Sequence, residues 1–236
     1  MFASISSIYM SNISTEVIKA QEKCVLRVLP EGWEFKQILT TDSHPVALEK
    51  AIASSKYDIN ILLDCDCIPL TQLGLELLAK QVIQDEERGL NQGLAGCIQR
   101  ANHISNNRHL YVGPFCMAFS RNYYADLGSP SFVETSRGDV GEELTYCWTE
   151  KSGFLSPAGM NPHKYSSNVH FLWPTHVRQP LWDLDFTWKF GIGTTYGAAG
   201  VGPSLFYHTF NARDPKTAEM FIFECNRMLT QQGREA

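Results

Sequence analysis

The chain has 236 residues, 44% of them hydrophobic and 19% charged, with a net charge of −5. That length suits one large domain; the mild acidity, without a run of Lys or Arg, excludes a nucleic-acid footprint, and no apolar segment is long enough to span a bilayer. Seven cysteines, an odd number with no CxxC pair, point to reduced thiols in a cytoplasmic setting rather than a disulfide framework, and the first dozen residues lack the basic start and apolar centre of a signal peptide.

Phe2 to Tyr9 reads as a strand. Ile13, Val17, Ala20, Cys24 and Val28 then recur at helical spacing, with Asn12 or Ser14 as cap and Pro30-Glu31-Gly32 as breaker. Trp33 to Thr40 reads as a second strand, and Val46 to Ser55 as a short helix behind Pro45. Ile59 to Asp64 is an apolar third strand, and Thr71 to Arg88 a helix closed by Gly89. Alternation of this kind with short connections predicts a parallel sheet with right-handed crossovers. Ligands of such sheets bind beyond the C-terminal strand ends, where Ser11, Asp42 and the pair Asp64 and Asp66 fall.

In the second half, Leu94 to Gln99 and Tyr111 to Phe119 read as strands, Val140 to Glu150 as a helix, and Ala218 to Leu229 as a closing helix. Between Ser156 and Pro203 the chain is rich in Gly, Pro, Trp and His with little periodicity, which predicts long, partly mobile loops. No repeat or low-complexity tract marks a second domain. A single domain over 1–236 is expected, with a change of character between 1–100 and 101–236.

The segment "ILLDCDCIPL" carries the chemistry. In an extended chain Asp64 and Asp66 point the same way, Cys65 and Cys67 the other. Two carboxylates this close suppress each other's ionisation unless solvent or a cation relieves them. Paired carboxylates suit a hard divalent ion, Mg²⁺ or Mn²⁺. The bland alternative is a turn with two solvated aspartates.

Four motifs in order, "ILLDCDCIPL", "YVGPFCMAFSR", "GDVGEELTYCWTEKSGF" and "SLFYHTF", give the chain a resemblance to the GT-A fold glycosyltransferases, in the style of glycosyltransferase family 2, over about residues 3 to 212. The resemblance implies an α/β, GT-A-like Rossmann-type sandwich: a mostly parallel central sheet flanked by helices, with a loop-rich C-terminal acceptor region. It implies transfer of a sugar from a nucleotide-sugar donor, with uridine diphosphate as carrier, to a saccharide or other hydroxyl acceptor. Asp64 and Asp66 would meet metal and donor, His208 would be a further metal ligand, Ser11 and Asp42 would contact base or ribose, and Arg213 would close over the diphosphate. Asp139, or second to it Glu142, would be the base of an inverting transfer. The acidic motif departs from the family's adjacent Glu-Asp; the alternatives are Asp139 as a helix cap and Glu142 with Glu143 as a solvated face. Lys216 reads as surface charge, while Trp182, Trp188 and Tyr196 offer aromatic faces for a sugar or for the core. A haloacid-dehalogenase-type phosphohydrolase places its Asp-x-Asp on the first strand, not the third. A nucleotidyltransferase carries a Gly-rich basic loop where this chain has "YMSNIST". A nucleotide-sugar-binding protein without catalysis is the non-enzymatic alternative.

Overall fold

The computed structural model describes residues 2–83, 93–101, 110–136, 138–151, 169–184, 188–198 and 203–231. The elements of the first half run β1 Ala3–Met10, α1 Thr15–Val28, β2 Glu34–Thr40, α2 His44–Ser54, β3 Ile59–Asp64, β4 Cys67–Pro69 and α3 Gln72–Ile83. Then follow β5 Leu94–Arg100, β6 Leu110–Ser120, α4 Arg121–Asp126, α5 Glu142–Lys151, β7 Val169–Asp183, β8 Lys189–Gly197, β9 Phe206–His208 and α6 Pro215–Gln231. The expected continuation of α3 to Arg88, and its stop at Gly89, lie outside the described residues.

Local chemistry accounts for the first elements. Ser14 caps α1, its side chain accepting the Val17 N–H, and Pro45 sits in the first turn of α2, where its missing N–H costs nothing. β1 lies between β2 and β3 and is parallel to both, as the sequence predicts. Successive side chains of β3 face opposite ways, so Ile59, Ile61 and Leu63 enter one core and Leu62 the other. The first core also takes α1, α3 and α6 through Val17, Leu75 and Phe221; the second takes α2, α4 and α5 through Leu48, Tyr123 and Trp148. The sheet is thus covered by helices on both faces.

The expectation of a mostly parallel, GT-A-like Rossmann-type sandwich is not met. The nine strands form one mixed sheet in the order β2-β1-β3-β6-β5-β7-β8-β9-β4. Only the β1–β2, β1–β3 and β5–β7 pairings are parallel; the other five are antiparallel. The βαβ alternation governs the first three strands and stops there, because β3 takes β6 as an antiparallel neighbour instead of another crossover strand.

The loop-rich C-terminal region is corrected as well. Within the tract read as loops, the described residues form β7 and β8, a long antiparallel pair. Its register shifts between Pro174 and His176 and again between Pro180 and Trp182. Each shift moves the inward side chains to the other parity, which erases the period-two signal that would have revealed a strand. Gly191 belongs to the same pairing: a Cβ there would stand 2.3 Å from the Gln179 carbonyl oxygen, so no larger residue fits. No helix among the described residues is long and apolar enough to cross a membrane.

Candidate metal centre and substrate cavity

β3 delivers Asp64 at its last residue, beside the end of β1, and the chain turns through Cys65 and Asp66 into β4. β4 pairs antiparallel with β9, placing Cys67 opposite His208. This register brings His208 to Asp66 across 142 positions of sequence: His208 Nε2 is 3.1 Å from Asp66 Oδ1, and both residues are buried. The Thr209 N–H donates to the Asp66 main-chain carbonyl at 3.1 Å. Phe210 and Asn211 both have φ of 60°. That left-handed conformation is costly for a residue with a Cβ, and more so for Phe than for Asn. The double turn aims the Ala212 N–H at Asp66 Oδ2, 3.0 Å away. Asp214 then caps α6, accepting from the Thr217 N–H at 3.0 Å, so Arg213 is held between two anchored residues at the cavity mouth.

The ligand atoms of Asp64, Asp66 and His208 lie within 4.8 Å of one another. In an octahedral site with bonds of about 2.1 Å, neighbouring ligands stand about 3.0 Å apart. The 3.1 Å separation of Asp66 Oδ1 and His208 Nε2 therefore fits two adjacent ligands of one ion. The His208 ring is fixed between Phe115, stacked with centroids 4.1 Å apart, and Phe210 at 3.9 Å. Two carboxylates and an imidazole form a mixed O and N donor set suited to a divalent cation.

His44, at the start of α2, was not foreseen in the sequence. Its Nε2 lies 3.3 Å from Asp64 Oδ1, a close ion pair without the alignment of a hydrogen bond. Burial pushes the Asp64 carboxyl up, but His44, His208 and Arg213 outweigh it and hold it below the usual carboxylate range. Burial pushes His44 down, and Asp64 outweighs that and raises it. The one available signal was position, since His44 follows the second strand's polar end by a few residues.

These groups line a cavity of about 330 Å³. Ile8, Met10, Ile13, Val140 and Phe210 add apolar lining. Asp139 lines it too: its Oδ2 accepts from the Tyr111 hydroxyl at 3.1 Å and its Oδ1 from the Val140 N–H at 2.8 Å. Burial first, then Asp139, raises the Tyr111 phenol well above its ordinary value, so it remains a protonated donor. Tyr111 opens the motif "YVGPFCMAFSR", but the sequence gave it no role at the site, because its partner Asp139 is 28 positions away.

Of the residues singled out in the sequence, Asp64, Asp66, Asp139, His208 and Arg213 meet at this cavity. Ser11, Asp42 and Glu142 do not line it. Ser11 is exposed in the turn after β1. Asp42 binds Lys50 Nζ at 2.7 Å. Glu142 is fully buried; its Oε2 accepts the Asp139 N–H at 2.8 Å and its Oε1 the Tyr146 hydroxyl at 3.1 Å, which braces Asp139 from behind. Lys216 is exposed, Tyr196 is core, and Trp182 packs on Phe190 and Phe210. Trp188 lies against Trp173, ring centroids 5.6 Å apart.

No family model matches the chain. No curated protein matches it. Among solved structures 23 chains match. One is A197 from STIV, 15% identical over 64% of this chain and 78% of its own, with a TM-score of 0.40. A likeness that distant carries no argument, and the comparisons place the chain in no family.

Proposed function

We propose that the chain transfers a glycosyl group from a nucleotide-sugar donor to a hydroxyl acceptor, using a divalent cation held by Asp64, Asp66 and His208. The observation that supports this best is the convergence of that donor set and Asp139 on one cavity. The cation, Mn²⁺ or Mg²⁺, would supply charge neutralisation of the diphosphate leaving group. Arg213, at the mouth, adds a guanidinium able to bind phosphate oxygens in a fork. Asp139, with Tyr111 orienting its Oδ2, takes the proton of the attacking hydroxyl. The apolar lining from Ile8 to Val140 excludes water and accepts the planar base or a sugar face. Uridine as the base rests on the motif resemblance alone. A cytoplasmic setting accords with an odd count of seven cysteines.

The test is calorimetric titration of uridine diphosphate with and without Mn²⁺, followed by assay of nucleotide-sugar turnover. Binding that needs Mn²⁺, vanishes in chelator and is accompanied by turnover supports the reading. Binding unchanged in excess chelator removes the cation from it, and a preference for guanosine diphosphate corrects the base. Tight binding with no turnover of any nucleotide sugar would leave a binding protein.

A further inference from the structure

Gln21 lies on α1 and is fully buried, yet it does not line the cavity. Its amide makes four hydrogen bonds. Nε2 donates to the main-chain carbonyls of Asp64, at 2.6 Å, and Cys67, at 2.9 Å. Oε1 accepts from Ser7 Oγ at 2.8 Å and from Gln37 Nε2 at 3.0 Å. Two N–H donors and two lone pairs are all in use, which is the full capacity of a carboxamide. The orientation of the amide is unambiguous, because the flipped form would set its oxygen against two carbonyl oxygens.

The two carbonyls bracket Cys65 and Asp66, the turn that lifts the carboxylate pair off the sheet. Cys65 and Asp66 lie between β3 and β4, outside both strands, and the Asp66 carbonyl is held from the β9 side by the Thr209 N–H. Gln21 holds the turn from α1, donating to the carbonyls on either side of it and tying them to Ser7 of β1 and Gln37 of β2, in the parallel part of the sheet. We propose that Gln21 is a positioning residue that fixes the Asp64–Asp66 turn and, through it, the affinity of the cation site. The inference rests on the reading of Asp64, Asp66 and His208 as that site. It touches neither the cation nor substrate; its effect passes through the backbone of the ligands, as outer-shell partners of metal ligands act.

The experiment compares the full chain with Gln21→Met, similar in volume and without amide groups, and Gln21→Glu, which sets a carboxylate against the two carbonyls. Val25→Ala is the control: Val25 is a fully buried core residue one turn further along α1. Mn²⁺ alone is titrated and followed by electron paramagnetic resonance, and amide hydrogen exchange at Cys65 to Cys67 is measured on the metal-free proteins. Gln21→Met and Gln21→Glu should weaken Mn²⁺ binding about 10–100-fold, broaden its spectrum and speed exchange across the turn. Val25→Ala should lower the melting temperature with affinity and spectrum unchanged. Retained Mn²⁺ affinity in both Gln21 variants overturns the inference, and so does an equal loss in Val25→Ala, which would mean general loosening of α1. If the unsubstituted protein binds no Mn²⁺, the cation reading itself has failed. Exchange then decides the rest: faster exchange at Cys65 to Cys67 in the Gln21 variants alone keeps the clasp, and unchanged exchange removes it. Should Gln21→Met not fold, Gln21→Glu carries the same comparison.

Discussion

The cavity joins two regions built on different principles. On one side stand β1 to β3 with α1 and α2, parallel, short-connected and capped by nearby residues. On the other stand β7 to β9 with the strained turn at Phe210 and Asn211, antiparallel and interrupted by register shifts. The first region delivers its carboxylates at the end of β3, where that strand lies on β1 and the Gln21 amide of α1 reaches the turn. The second delivers His208 and Arg213 only because β9 pairs with β4 in one register. Asp66 is the joint. Its side-chain oxygens and its main-chain carbonyl all engage the second region, through His208, Ala212 and Thr209. Asp64 stays with the first, paired to His44. Two carboxylates that look equivalent in sequence are therefore unequal in the fold.

The largest expected effect tests that inequality. Asp66→Ala should abolish turnover and Mn²⁺ binding, and should also destabilise the metal-free protein. Losing a buried carboxylate's hydrogen bonds costs about 1.5–3 kcal/mol per partner at most, which at this chain length is several degrees of melting temperature. A strand-end carboxylate waiting for metal would not behave so; relief of its repulsion with Asp64 would leave the metal-free fold intact or slightly firmer. Asp64→Ala should lose Mn²⁺ binding with a much smaller change in melting temperature. Equal melting temperatures for the two variants would show that Asp66 does not join the regions.

Next in size is Asp139. Asp139→Asn keeps the shape and the Tyr111 hydrogen bond but cannot take a proton. Transfer should fall about 10²–10⁴-fold, the usual contribution of a positioned base, with donor affinity little changed. Glu142→Gln retains an oxygen for the Asp139 N–H and should lose less than about tenfold, since Glu142 braces rather than faces the cavity. The reverse ranking, read from single-turnover rates, would move the base to Glu142.

A smaller effect separates the regions by stability. In Gly191→Ala the new methyl meets the backbone at Gln179 and Leu181. Overpacking of this kind costs about 1–3 kcal/mol. Thermal unfolding should show that loss while Mn²⁺ affinity stays within about threefold; a matching collapse of affinity would mean that the β7–β8 pairing sets the site as strongly as the first region does.

The smallest effect is the pH dependence of the His44–Asp64 pair in metal-free protein. Asp64 is lowered by folding, so its contribution is present above the unfolded value of about 4 and lost as pH falls through the folded one. His44 is raised, so its contribution is complete below the unfolded value of about 6.5 and lost as pH rises through the folded one. The pair therefore stabilises most between about pH 4 and 6.5. Because both side chains are partly exposed, the effect is slight. Melting temperatures of His44→Gln and the unsubstituted protein, measured from pH 4 to 9 in chelator, should differ most in that window and converge above it.

Local chemistry made the first region readable. A period of 3.6 and a serine cap define α1, an apolar run ending in Asp-x-Asp defines β3, and both follow from residues within a few positions of one another. Even the members of the cavity with the strongest chemistry, Asp64, Asp66, Asp139 and His208, were visible as residue types at strand and helix ends. The mixed sheet was not, because a strand's sequence specifies which face is apolar but not which neighbour it will take or in which direction. Nor were the roles of His44, Tyr111 and Gln21. Each acts through a partner that only the fold brings near: His44 through Asp64, Tyr111 through Asp139, and Gln21 through two carbonyls 43 and 46 positions away. Sequence determined which groups the chain carries to its strand ends; long-range pairing, β4 on β9 above all, decided which of them meet, because register is set by packing between distant segments and not by the residues of either one alone.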